Sequence, residues 1–167
     1  MPYRNCVLFF VIAVVALAGC TPSEDPATVD ARAKLLLAAE PDGGVGVLEA
    51  REKLAESNQL VVVGTIGSSD ATWDPGKAVF TMTDPEIASH GPGHDPDNCP
   101  FCKARKEKAP DATAIVQVLD EQGEILDVDA RQVLQAEPGQ TVVVVGTGEI
   151  NPLGSLVVSA DKIFVRR

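Results

Sequence analysis

Aromatic side chains are scarce in this chain: one Trp, one Tyr and five Phe make up 4% of its 167 residues. Beyond residue 20 only Trp73, Phe80, Phe101 and Phe164 remain, too few for the row of stacking platforms that holds single-stranded nucleic acid. Positive charge is short as well. Fourteen Lys and Arg face 24 Asp and Glu, for a formal charge of −10, which makes the chain a poor candidate for nucleic acid, since phosphate binding requires a concentrated positive surface. The four cysteines are too few for a disulfide framework, since two of them fall within the first 20 residues. No Gly-Lys-Ser/Thr phosphate loop occurs. The run Val145-Gly-Thr-Gly148-Glu-Ile-Asn151 begins like a dinucleotide fingerprint, but Asn151 stands at the third glycine position and Pro152 follows. A Ser–His–Asp triad would have to borrow one of only two histidines and has no elbow motif. The one long apolar run, Cys6 to Ala18, is too short to cross a bilayer as a helix.

That run is informative for another reason. A basic Arg4, the apolar stretch and small residues before Cys20 follow the plan of an export signal. Its end, Leu17-Ala18-Gly19-Cys20, resembles the lipobox of bacterial lipoproteins. The resemblance implies cleavage before Cys20, lipidation of Cys20 and firm anchoring by several acyl chains. Because Thr21 rather than Asp follows, it also implies an outer-membrane destination with the domain facing the periplasm. Residues 1–19 are then the signal peptide, residues 20–28 the lipidated cysteine with a polar tether, and the rest of the chain is the size of one domain.

Both histidines and both remaining cysteines fall in one 13-residue stretch, His90-Gly-Pro-Gly-His94-Asp-Pro-Asp-Asn-Cys99-Pro-Phe-Cys102. Two thiolates and two imidazoles form a tetrahedral zinc ligand set, and Cys-x2-Cys is the tight bite of zinc knuckles. Copper(I) would accept the same donors. With all four positions filled by protein no open position is left for a substrate water, which disfavours a hydrolytic metal centre. Lys103-Ala-Arg105-Lys106-Glu-Lys108 follows as a local basic run that would lower thiol pKa values, although a solvated helical face is the commoner meaning of such a run. Asp95 and Asp97 are either acceptors around the metal or turn formers.

Three rivals stand beside the metal site. A Cys99–Cys102 disulfide suits an oxidising compartment but closes a tiny loop and leaves the histidines unexplained. Thiol–disulfide redox work is suggested by Cys-Pro-Phe-Cys, which resembles glutaredoxin-type active sites, yet the strand–CxxC–helix context is missing. Covalent haem is suggested by Cys-Pro-Phe-Cys-Lys103, which resembles a lysine-ligated attachment motif that nothing else in the chain supports.

The pattern predicts two short amphipathic helices within residues 29–58, over Val29–Glu40 and Val45–Ser57, separated by Pro41-Asp-Gly-Gly44. From Leu60 the signal turns to β. Leu60–Ser68, Lys77–Asp84, Thr113–Asp120, Glu124–Asp127, Gln140–Ile150 and Leu156–Val165 are rich in Val, Ile and Thr and bounded by Gly, Pro or Asp. Five to six strands without long crossover helices make the fold class mainly β, and their order resembles an OB-type antiparallel barrel over residues 59–167. A short helix at Asp129–Ala136 fits the one such a barrel carries between its third and fourth strands, and Gly64 and Gly67 would let the first strand curl. Two near-copies, Val61-Val-Val-Gly-Thr and Val143-Val-Val-Gly-Thr, are explained by two similarly buried strands rather than a repeat.

The Cys/His stretch falls in the connection between the second and third strands, residues 85–112, far longer than most connections. A metal would give that loop its own small core. As a whole the chain resembles uncharacterised planctomycete-type exported proteins with an OB-like domain, a likeness that carries no activity. These features lead to the expectation of a lipid-anchored, non-enzymatic binding module whose loop is organised by zinc on His90, His94, Cys99 and Cys102, and whose partner is an envelope protein, peptide or glycan rather than nucleic acid. Zinc or copper handling and thiol redox work are the alternatives.

Overall fold

The β-branched runs close on themselves. In the computed structural model, which describes residues 24–67, 72–88 and 110–167, five strands, β1 (Gln59–Ile66), β2 (Val79–Thr83), β3 (Thr113–Gln117), β4 (Thr141–Ile150) and β5 (Leu156–Val165), form a closed barrel in the order β1-β2-β3-β5-β4. All pairings are antiparallel except β3 with β5, where Ala114 lies beside Leu156 in parallel. This is the OB arrangement. Alternation along β1, β2 and β3 sends every second residue inward, and Val62, Phe80, Met82, Val116, Val144, Val158 and Ile163 fill the interior. The two near-copies are neighbours, with Val63 opposite Val143 and Val61 opposite Val145. Their likeness reflects two strands that share one wall.

Among the described residues four short helices accompany the barrel: α1 (Pro26–Leu35), α2 (Val47–Lys53), α3 (Pro85–Ala88) and α4 (Ala130–Leu134). Among the described residues no helix is long and apolar enough to cross a membrane. α1 begins earlier than the sequence pattern predicts, inside the stretch read as tether. Asp25 caps it by accepting from the Ala27 N–H at 2.9 Å, and Pro26 occupies its first turn. It also ends earlier. Leu36 is extended (φ −77°, ψ 133°) and bridges Ile163 of β5, so the chain after Leu35 joins the barrel instead of continuing the helix. α4 lies where expected, capped by Asp129 on the Gln132 N–H.

Glu124–Asp127 is not a strand. Asp120 Oδ1 accepts from the N–H groups of Gln122 and Glu124 and tightens the hairpin into a turn with a single bridge, Leu119 to Ile125. The described irregularity of register lies between β4 and β5 rather than in β1. Val145 pairs with Lys162 but Gly146 pairs with Ala160, which leaves Asp161 as the extra residue of a β-bulge. Gly146 is required there, since a Cβ would stand 2.1 Å from the Ser159 carbonyl oxygen.

Strand directions divide the barrel into two ends. α1 packs on α4 and β5 at one end, where Arg32 of α1 donates to the carbonyls of Val133 and Gln132. β4 runs from there to the other end and β5 returns; that other end holds the β4–β5 turn, the start of β1, α2 and both stems of the 85–112 connection.

Candidate functional site

The 85–112 connection leaves and re-enters the barrel at adjacent points. Thr83 pairs with Thr113, and the Asp84 N–H donates to the Ala112 carbonyl at 2.7 Å, adding one more rung beyond the strands. The two stems of the connection are therefore held side by side.

Asp84 is the centre of this base. Its side chain is buried, 3% exposed, and it meets no cation among the described residues. One oxygen accepts from the Glu86 N–H at 2.9 Å and caps α3; the other accepts from the Leu48 N–H at 3.1 Å, in the first turn of α2. A single carboxylate thus serves two helix N-termini, whose otherwise unsatisfied N–H groups and positive dipole ends favour it there. α2 needs this service because its own cap position is Gly46, which has no side chain to offer. Glycine at 46 also makes the approach possible: a Cβ there would lie 2.5 Å from Asp84 Oδ2.

The returning stem is held from the same helix. Arg51 of α2 pairs with Asp111 at 3.1 Å and donates to the Gly154 carbonyl in the β4–β5 turn at 3.0 Å. That turn is built on Asn151, whose side-chain oxygen accepts from the N–H groups of Leu153 and Ser155. Leu153 at its tip is 91% exposed. The loop base, α2 and an apolar fingertip form one braced surface.

His90, His94, Cys99 and Cys102, the predicted metal ligands, lie outside the described residues, as do Asp95, Asp97 and the predicted lipidation site Cys20. Among the described residues no group of three or more His, Cys, Asp or Glu side chains is placed to hold a metal ion. The base of the loop was not read from sequence. Asp84-Pro85 is itself a recognisable cap-and-proline start, and a helix opening on Gly46 without a capping side chain is a local sign that the cap comes from elsewhere. No sequence pattern names the donor. No family model matches the chain, and no curated protein matches it in sequence.

Proposed function

We propose that this chain is an exported, lipid-anchored binding module, held by an acylated Cys20, whose 85–112 loop is organised by zinc on His90, His94, Cys99 and Cys102 and recognises a partner in the cell envelope. The observation that carries this reading is the closure of the loop base: Asp84 and Ala112 are joined, and α2 grips both stems through Asp84 and Asp111. A loop so pinned, carrying four metal-type ligands within 13 residues, has the makings of a recognition element on a rigid scaffold. The donor set suits zinc first and copper(I) second.

The arrangement of the ends supports the anchoring half of the reading. The chain enters the barrel through α1, at the end opposite the loop base, so an anchor at Cys20 would hold the α4 end toward the bilayer and present the loop outward. The barrel order argues against thiol redox work as the main task, because CxxC redox sites work at a strand–helix junction of a βαβ frame. Among the described residues the one parallel pair of strands, β3 with β5, is joined through α4 and the whole of β4.

The test is the metal content and free-thiol count of the full chain, expressed with export and purified from the envelope without added metal. One equivalent of zinc or copper, lost in Cys99→Ala, is expected. Absence of metal together with an oxidised Cys99–Cys102 pair would overturn the metal site and favour the disulfide or redox alternatives. Metal that exchanges readily with weak chelators would instead favour metal handling as the task. Cys20→Ser should move the protein from the membrane to the soluble fraction.

A further inference from the structure

A second surface lies by α1, at the α4 end of the barrel, away from the loop base. A groove of about 600 Å³ runs between α1, the turn at residues 118–122 and β5. Its floor is apolar, formed by Ala31, Leu35, Val118, Leu126 and Ala160. Its rim carries four carboxylates, Asp30, Asp120, Glu121 and Asp161, against the single ammonium of Lys34, which is already paired with Asp30 at 2.9 Å. Lys162, next in sequence to Asp161, turns its ammonium to the Lys34 carbonyl at the end of α1.

The placement of Asp161 is specific. It is the extra residue of the β5 bulge, the one position on that strand without a partner on β4, and the bulge sets its side chain on the groove. Glu121 lies near enough to Lys34 to act on its charge, whereas Asp161 has no hydrogen-bond or ion-pair partner among the described residues. The carboxylates are strung along the groove and do not converge as a metal cage would require. Apolar floor and separated negative charges are complementary to a chain that alternates the two characters.

We propose that this groove binds a basic, amphipathic peptide segment of a partner protein, with apolar side chains on the Leu35–Leu126 floor and Lys or Arg side chains on Glu121 and Asp161. The site is independent of the metal loop and stands or falls without it.

The experiment is binding of a labelled peptide of alternating leucine and lysine to the full chain, followed by fluorescence anisotropy. Three variants accompany it: Glu121→Lys with Asp161→Lys, which reverses the rim; Ala27→Trp, which obstructs the groove at an exposed α1 position without changing charge; and Glu52→Lys with Glu56→Lys, a matched charge change near α2. The rim and obstruction variants should each weaken binding about tenfold or more, while the matched control changes it about twofold or less. Thermal unfolding of each variant confirms that it is folded. Equal weakening by rim and control variants would reduce the interaction to bulk acidity and overturn the proposal. So would an unaffected affinity in the obstruction variant, or a peptide that does not bind the parent chain. Self-association of the parent chain that Ala27→Trp abolishes would assign the groove to a second copy and overturn the peptide assignment.

Discussion

The two ends of this barrel are closed by opposite means. At the α4 end the seal is chiefly hydrocarbon, with Arg32 as a bridging cation: Val133, Leu134 and Ala130 are buried under Ala31 and Leu35 of α1, around a cavity of only about 10 Å³. At the loop end it is polar: one buried carboxylate, one arginine and one asparagine side chain hold α2, α3, the stems and the β4–β5 turn together. Hydrophobic burial is non-directional and tolerates few changes of volume. Hydrogen bonds fix geometry and contribute modestly to net stability. The α4 end should therefore govern whether the domain folds, and the loop end how its working surface is positioned.

Substitutions can break that contrast. Leu134→Ala should give the largest effect, about 2–5 kcal/mol of lost stability, read from urea unfolding, and it should leave metal stoichiometry unchanged in the protein that remains folded. Asp84→Ala orphans the N–H groups of Leu48 and Glu86 and should cost about 1–3 kcal/mol. Its signature is faster amide exchange in α2 and α3 while α4 stays protected. If Asp84→Ala proves as damaging as Leu134→Ala, and exchange rises equally at both ends, the division of labour is wrong.

Arg51→Ala should cost about 1 kcal/mol or less, as partly exposed ion pairs do, yet loosen Asp111 and Gly154 together. Nuclear magnetic resonance shifts at both positions, recorded in the one variant, would register that coupling. The smallest effect expected is acid sensitivity confined to the α1 end. The Arg32 guanidinium beside Glu24 and the Arg166 guanidinium beside Glu40 hold those two carboxyls below the ordinary value of 4.5. A carboxyl whose pKa is lowered by folding stabilises the fold above its unfolded value, and that contribution is lost as pH falls through the lowered value. Between pH 5 and acid, amide exchange should rise first at α1 and at the C-terminal end of β5, before α2 responds. Added salt should blunt the change, since both carboxylates are solvent-exposed.

Much of the barrel was legible because its strands are rich in Val, Ile and Thr and bounded by Gly, Pro or Asp, a signal carried by each strand alone. β5 was read at its observed limits, and α4 was placed by Asp129 and the Val133-Leu134 pair. Reading failed where a distant partner decided the outcome. Leu36 to Glu40 has a helical pattern, but Ile163 captures Leu36 as a bridge. Glu124–Asp127 has strand composition, but the Asp120 side chain closes the turn too tightly for a second pair to form. Asp25-Pro26 was a cap signature hidden in residues that looked like linker. The candidate metal cluster was visible because rare residue types crowd together. Its supporting base was not, because Asp84 and Leu48 lie far apart in the chain and meet only after the barrel closes.

That ring also constrains how the protein forms. β1 must find β4, and β3 must find β5, so residues as distant as Val63 and Val143 meet before either gains much burial. Such long-range pairings fold slowly, because the entropy of closing the intervening chain is lost before contacts compensate it. The 85–112 loop adds its own closure cost to the β2–β3 pairing. If the proposed metal site forms, an ion that cinched the loop early would shorten the chain to be closed, and the ion proposed to organise the loop would also set the pace at which the barrel assembles.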